Sequence, residues 1–312
     1  MRALVTGGNG FVGRYLCAEL RERGIDVVSA ARTIDGAVVD MPLDLGDATS
    51  VRAVVEFARP GVVFHLAAQA SVPQATREPL ETYETNVMGT ARLIDALRAI
   101  PESDRPKLVF VSSSEVYGAH PAADLPLRET ATALPSTTYA ASKLAGEAIV
   151  SAAARAYGLF TIVTRAFNHI GPGQSDRFVV AAFAKRLAAI AAGGNPLFPV
   201  GNLTPQRDFL DVRDVVRAYA DLAERGVAGE TYNVCSGTPT RIQDLLRPLV
   251  TFARVGVEIR EDAELMRPVD VPIVYGDRSK LEAATGWKPE YTLARSLRDI
   301  YEDARASLAA AT

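Results

Sequence analysis

Thr6-Gly7-Gly8-Asn9-Gly10-Phe11-Val12-Gly13 decides the fold. It follows an apolar run, Ala3-Leu4-Val5, that reads as a strand. It opens a stretch over 11–23 that reads as a helix, with Gly24 as its stop. A GxxGxxG at a strand-to-helix turn has a stereochemical cause. Gly7 permits the tight turn, Gly10 lets backbone approach a pyrophosphate, and Gly13 allows helix and strand to touch. Phosphates then lie at a helix N-terminus, where unpaired N–H groups and the helix dipole favour anions. The loop therefore predicts a nicotinamide-dinucleotide site at the start of the chain.

Outward from the loop, strands are expected over 26–31, 38–39, 61–66, 107–112 and 160–165, and helices over 50–58, 85–99 and 139–157. Val- and Leu-rich strands without polar alternation belong to a parallel sheet covered on both faces. Their alternation with helices predicts a doubly wound Rossmann α/β fold. The pattern changes after Arg165. Gly171-Pro172-Gly173 and Gly193-Gly194-Asn195-Pro196 bracket a helix over 178–192, a strand is expected over 230–234, and Pro248, Pro268, Pro272 and Pro289 separate short elements. We expect 1–165 to form the dinucleotide-binding part, with 208–235 returning to it. Residues 166–207 and 236–312 are expected to form a smaller α/β substrate domain.

The 312 residues are 48% hydrophobic and 23% charged, with a net charge of −3, the composition of an ordinary globular chain. No basic run stands out, so a nucleic-acid partner is not expected. No apolar run approaches the ~20 residues of a membrane span. The N-terminus reads as a strand rather than a signal peptide, so a cytoplasmic enzyme is expected. Cys17 and Cys235 lie far apart and read as buried thiols; with His65, His120 and His169 they form no metal-ligand spacing.

Strand 26–31 is followed by Arg32, where an NAD site usually carries an acid for the ribose 2′-hydroxyl. A guanidinium suits the 2′-phosphate of NADP, so NADP(H) is favoured over NAD(H); a solvated surface arginine is the plain alternative. Tyr139 and Lys143, four apart on one helix, share a face. Ser113 ends the strand at 107–112, on the carboxyl side where ligands of doubly wound sheets lie. An ammonium at Lys143 favours the phenolate of Tyr139 and can bond the nicotinamide ribose. Ser113 can hold a substrate oxygen. A YxxxK pair alone is most often an ordinary helix face; its place after the glycine loop gives it meaning.

The glycine loop, His65-Leu66-Ala67-Ala68, the segment Ser112 to Gly118 and Tyr139-Ala140-Ala141-Ser142-Lys143 together resemble the extended short-chain dehydrogenase/reductases. The resemblance implies Tyr139 as general acid/base, and cofactor contacts at Gly7, Gly10, Phe11, Val12, Gly13, Arg32, Asp44, Leu45, Leu66, Ala67, Ala68, Lys143 and His169. Phe167 to Gln174, Arg207 to Asp214, Tyr232 to Gly237, Arg267-Pro268 and Thr285 to Pro289 are similar to the GDP-mannose branch of that family. By that resemblance Asn168, Arg207 and Arg267 hold a nucleotide diphosphate, Asp270 contacts the nucleoside ribose, and Ser113 and Ser114 meet the sugar. Arginine forks suit a diphosphate, although Arg207 could instead pair with Asp208 or Asp211.

The implied reaction is NADPH-dependent reduction of the 4-keto group of a GDP-linked 4-keto-6-deoxy sugar. Glu115 could serve as the base of a 4,6-dehydratase instead, and related reductases carry a glutamate there too. A 4-epimerase and a non-enzymatic NADP-sensing regulator are the remaining alternatives. The family implies a homodimer through the helices at 85–99 and 139–157, where Ala140, Ala141, Ala145 and Ala148 either meet a second copy or pack inside one subunit.

Overall fold

The computed structural model describes residues 1–33, 39–266 and 271–311. The first part runs β1 (Arg2–Thr6), α1 (Phe11–Glu22), β2 (Asp26–Ala31), β3 (Met41–Pro42), α2 (Ala48–Ala58), β4 (Val62–His65), α3 (Val72–Arg77), α4 (Pro79–Tyr83), α5 (Gly89–Arg98), β5 (Lys107–Ser113), α6 (Thr138–Tyr157) and β6 (Thr161–Ala166). There follow β7 (Asn168–Ile170), α7 (Val179–Ala191), β8 (Leu197–Val200), β9 (Gln206–Asp211), α8 (Val212–Arg225), β10 (Thr231–Val234), β11 (Pro239–Arg241), α9 (Ile242–Ala253), β12 (Glu258–Glu261), β13 (Ile273–Val274), α10 (Ser279–Thr285) and α11 (Leu293–Ala311).

Seven strands form one parallel sheet in the order β10-β6-β5-β4-β1-β2-β3. Order reverses beside β1, which places the ligand crevice at the carboxyl ends of β1 and β4. Both faces of the sheet are buried. Leu16 and Leu20 of α1 and Val215, Tyr219 and Leu222 of α8 cover one face. Val54, Leu93, Leu97 and Val150 from α2, α5 and α6 cover the other. A separate core, with Phe183, Leu187, Phe198, Leu245, Leu249 and Leu297, joins α7, α9 and α11 around β8 and β9.

Several expectations need correction. The third strand is Met41–Pro42; of the strand expected over 38–39, Val39 lies in no strand and Val38 lies outside the described residues. The helix expected from Thr85 starts earlier, at Pro79, and passes through a π-helical turn at Glu84–Met88 before α5. The C-terminal third is more helical than its prolines suggested. Pro248 lies inside α9, and α11 runs for 19 residues. A proline removes one helical hydrogen bond and usually signals a break. Here Ile242, Leu245, Leu246 and Leu249 bury one face of α9, and tertiary packing outweighs the local penalty. The strands β7, β9, β11 and β13, of two to six residues, were too short to give a period-two signal.

Candidate active site

The glycine loop turns between β1 and α1. Gly7 has φ +75°, and a Cβ on it would lie 2.9 Å from the Ala67 nitrogen. A Cβ on Gly13 would lie 2.2 Å from the Gly7 carbonyl oxygen, so only glycine lets α1 start this close to the turn. The N-cap of α1 is Gly10, which has no side chain to accept from the first-turn N–H groups. Those donors, at Phe11, Val12 and Gly13, suit an anion. Asn9 Nδ2 donates to the Thr33 carbonyl at 3.0 Å, which ties the loop to the end of β2 beside the exposed Arg32.

After β4, Ala67 N donates to Thr6 Oγ1 at 3.2 Å, and Leu66 N donates to the Thr6 carbonyl. Leu66 and Ala67 thus face the loop, and Ala68 follows them. His65 itself is buried between Thr6 Oγ1 (2.8 Å) and Thr90 Oγ1 (3.2 Å). Desolvation, helped by Lys143, pushes its imidazole down to about 3, so it is neutral. Asp44 is exposed and accepts from Gly46 N at 2.8 Å, while Leu45 is buried. The ring of His169 stacks on Phe11 with centroids 6.1 Å apart and planes at 12°. Its Nδ1 lies 3.1 Å from the Phe167 carbonyl, and burial holds it below the ordinary imidazole range.

Thr137 caps α6 by accepting from Ala140 N, and Tyr139 and Lys143 follow one turn apart. A Cβ on Gly146 would lie 2.6 Å from Phe110 Cζ, so α6 lies directly on β5. That contact lets the buried Lys143 Nζ reach the Val111 carbonyl at 2.8 Å and the Phe110 ring at 5.4 Å. Desolvation lowers the Lys143 ammonium to about 8, with Glu147 acting against the shift. Burial pushes the Tyr139 phenol up to about 12; a hydrogen bond with Ser113 works against this, and the Glu115 charge adds to it. Ser113 Oγ also accepts from Glu115 N at 3.2 Å. Ser114 starts the turn after β5 and is buried.

Two features close to this centre were not read from the sequence. Asn86, in the π turn, donates to Ser142 Oγ at 2.9 Å, and Ser142 Oγ donates to the Tyr139 carbonyl at 2.7 Å. Glu147, one turn beyond Lys143, is buried with Arg165 at 2.7 Å. The i, i+4 spacing from Lys143 was a signal for Glu147; nothing in the sequence marks a π turn.

Across the crevice, Asn168 stands opposite Phe209 in the β7–β9 ladder, two positions from Arg207. Arg207 Nη1 donates to the Gln206 carbonyl (2.8 Å) and the Val271 carbonyl (2.7 Å). Asp208 accepts from the backbone of Ser236 and Gly237, and Asp211 pairs with Arg213. Arg267 and Asp270 lie outside the described residues. Among the described residues no group of three or more His, Cys, Asp or Glu could hold a metal, and no helix is long and apolar enough to cross a membrane.

The fold, the glycine loop and the Ser/Tyr/Lys arrangement define an extended short-chain dehydrogenase/reductase. Within that class the chain belongs to the GDP-mannose 4,6 dehydratase family, whose model matches residues 4–300. It is 40% identical over 306 residues to GDP-6-deoxy-D-mannose reductase of Pseudomonas aeruginosa, covering 97% of this chain and 96% of that one. It is 32% identical to GDP-6-deoxy-D-talose 4-dehydrogenase of Aggregatibacter actinomycetemcomitans, covering 97% and 98%. The solved structure of RMD from Pseudomonas aeruginosa, complexed with NADPH, superposes with a TM-score of 0.88 at 38% identity, covering 98% of this chain and 99% of that one.

Proposed function

We propose that the protein reduces the 4-keto group of a GDP-linked 4-keto-6-deoxy sugar, with GDP-4-keto-6-deoxymannose as substrate and GDP-rhamnose or its C4 epimer as product. The observation that carries this reading is the placement of Ser113 at the carboxyl end of β5 with Tyr139 and the buried Lys143 one turn apart on α6, where Lys143 Nζ reaches the Val111 carbonyl at 2.8 Å, together with the α1 N-terminus that no side chain caps. The likeness to the Pseudomonas reductase supports the choice of sugar.

The loop fits a dinucleotide by its donors and by the close approach that only glycine permits at Gly13. Gly7, Gly10, Phe11, Val12, Gly13, Asp44, Leu45, Leu66, Ala67 and Ala68 would hold it, with His169 beside Phe11. Arg32 would take a 2′-phosphate, and Lys143 the nicotinamide ribose. Bound NADPH supplies the hydride for C4. Tyr139, kept neutral by its raised pKa, gives its phenolic proton to the C4 oxygen. Ser113 Oγ donates a hydrogen bond to that oxygen and stabilises the charge developing there. Asn168 and Arg207, with Arg267 and Asp270, would hold the nucleotide diphosphate and ribose. In this reading 1–165 and 208–235 form the cofactor part, and 166–207 with 236–312 form the substrate part, working in the cytoplasm, where Cys17 and Cys235 stay as thiols. A 4,6-dehydratase is the second reading, favoured by the Glu115 carboxylate lying close enough to Tyr139 to act on its phenol.

The test is purified enzyme with GDP-4-keto-6-deoxymannose and NADPH or NADH. We expect NADPH consumption and a strong preference for it over NADH. Arg32→Glu should weaken NADPH use about tenfold to a hundredfold and leave NADH use little changed, in line with the loss of a charge-assisted contact. No NADPH consumption would sink the proposal, and keto-sugar formation from GDP-mannose would establish the dehydratase.

A homodimer is part of the same reading. Ala91, Ile94, Ile149, Ala152, Ala156 and Tyr157 line a groove of about 330 Å³ between α5 and α6. Ala148, Ala152 and Ala156 are exposed there, whereas Ala140 is fully buried within the subunit. Small residues let helices approach closely, so Ala152→Arg should convert a sedimenting dimer to monomer. Native protein sedimenting as a monomer would refute the assignment.

A further inference from the structure

Glu147 and Arg165 form a buried charged pair immediately behind the reacting groups, each less than a tenth exposed. The Glu147 carboxylate accepts from Ser112 Oγ at 2.5 Å, from Arg165 Nε at 3.0 Å and from Arg165 Nη2 at 2.7 Å. Ser112 and Arg165 are partners in the β5–β6 ladder. Ser112 adjoins Ser113, and Glu147 stands one helical turn beyond Lys143. Arg165 is held in turn. Its guanidinium lies 4.8 Å from the Tyr117 ring centroid, and Nη1 donates to the Glu129 carbonyl at 3.3 Å. Tyr117 donates to Asn233 Oδ1 at 2.6 Å.

Buried ion pairs stabilise a fold poorly, because desolvation offsets most of their attraction; apolar residues of similar volume would serve stability as well. A pair kept at this spot, with the Glu147 carboxylate joining the strand end at Ser112 to the helix of the triad, calls for another role. We propose that Glu147 is a positioning residue for hydride transfer: its carboxylate, clamped between Ser112 and Arg165, fixes the helix carrying Tyr139 and Lys143 against the strand end carrying Ser113. Its negative charge also favours the Lys143 ammonium. This rests on the reductase reading of the site.

Among the described residues, Glu147 on its own helix and His65 from β4 act electrostatically with Lys143, Tyr139 stands one turn before it with Glu115 acting on its phenol, and Arg165 and Tyr117 lie beyond Glu147. His65 is neutral in the working range, and so are Tyr139 and Tyr117. Glu147 is the group that favours the Lys143 ammonium against its desolvation. Removing that negative charge favours the neutral amine, so the amine should form at lower pH.

The experiment titrates the side-chain carbon resonance of Lys143 in protein carrying labelled lysine, where only five lysines must be assigned. It needs neither substrate nor cofactor, so its outcome is independent of whether the reductase reading holds. E147Q should lower the Lys143 midpoint by about one pH unit, and shift the alkaline limb of kcat/KM for keto-sugar reduction the same way. E147D, which keeps the charge, should hold the midpoint near the native value. A folded E147Q with an unchanged midpoint would overturn the proposal. If E147Q does not fold, S112A removes one arm of the clamp without touching a charge. It should lower kcat about tenfold at unchanged KM for NADPH, and an unchanged kcat would overturn the proposal equally.

Discussion

Tyr139→Phe is expected to lower kcat by about 10²- to 10⁴-fold, the range for loss of a positioned general acid, with NADPH affinity unchanged. The variant removes one oxygen and keeps the ring, so α6 should keep its packing. Without the phenol, the C4 oxygen retains the Ser113 hydrogen bond but has no proton donor. Because the phenol lies near 12 and stays protonated, the native enzyme should show no loss of its acid function in the neutral range. An alkaline loss of activity should instead follow Lys143, whose ammonium lies near 8. Steady-state kinetics with a parallel NADPH titration checks both statements. Full activity in the phenylalanine variant would remove Tyr139 from the chemistry.

Gly13→Val should abolish measurable cofactor binding while leaving much of the sheet intact. The first added carbon would lie 2.2 Å from the Gly7 carbonyl oxygen and 2.7 Å from Gly8 Cα, both of them backbone. No rotamer relieves a clash with backbone, so α1 must move away from the turn. Overpacking of this kind costs about 1–3 kcal/mol or more, and the displaced first-turn amides no longer converge on one anion. NADPH affinity should fall at least about a hundredfold, as read by fluorescence titration, with a lowered but cooperative melting transition. Native-like affinity in this variant would mean that the α1 N-terminus is not the phosphate site.

The glycine loop was legible in the sequence because its spacing is forced by sterics: a Cβ on Gly7 or Gly13 would come within 3 Å of backbone atoms. Tyr139, Lys143 and Ser113 were legible because helical spacing and a strand end fix their relative places. Glu147 was passed over because a charged residue on a helix ordinarily faces solvent, and only the strand packing shows that it faces Ser112 and Arg165. Asn86 was invisible because the π turn that aims it leaves no local sequence pattern. The substrate side was read through resemblance rather than periodicity. Its strands are short, and Pro248 disguised α9 as a break.

The sheet order carries one more implication, concerning how the chain is made. β10 pairs with β6 at the rim of the large sheet, yet the ribosome delivers it only after β7, α7, β8, β9 and α8. Until then β6 presents a bare edge of unpaired backbone groups beside apolar side chains, the kind of edge that recruits foreign strands. The nucleotide-binding half is thus finished by a segment from beyond the first crossover. A transplant ending at residue 165 would carry the dinucleotide loop and the triad but expose a raw, adhesive border, so the two halves of this enzyme are not interchangeable modules.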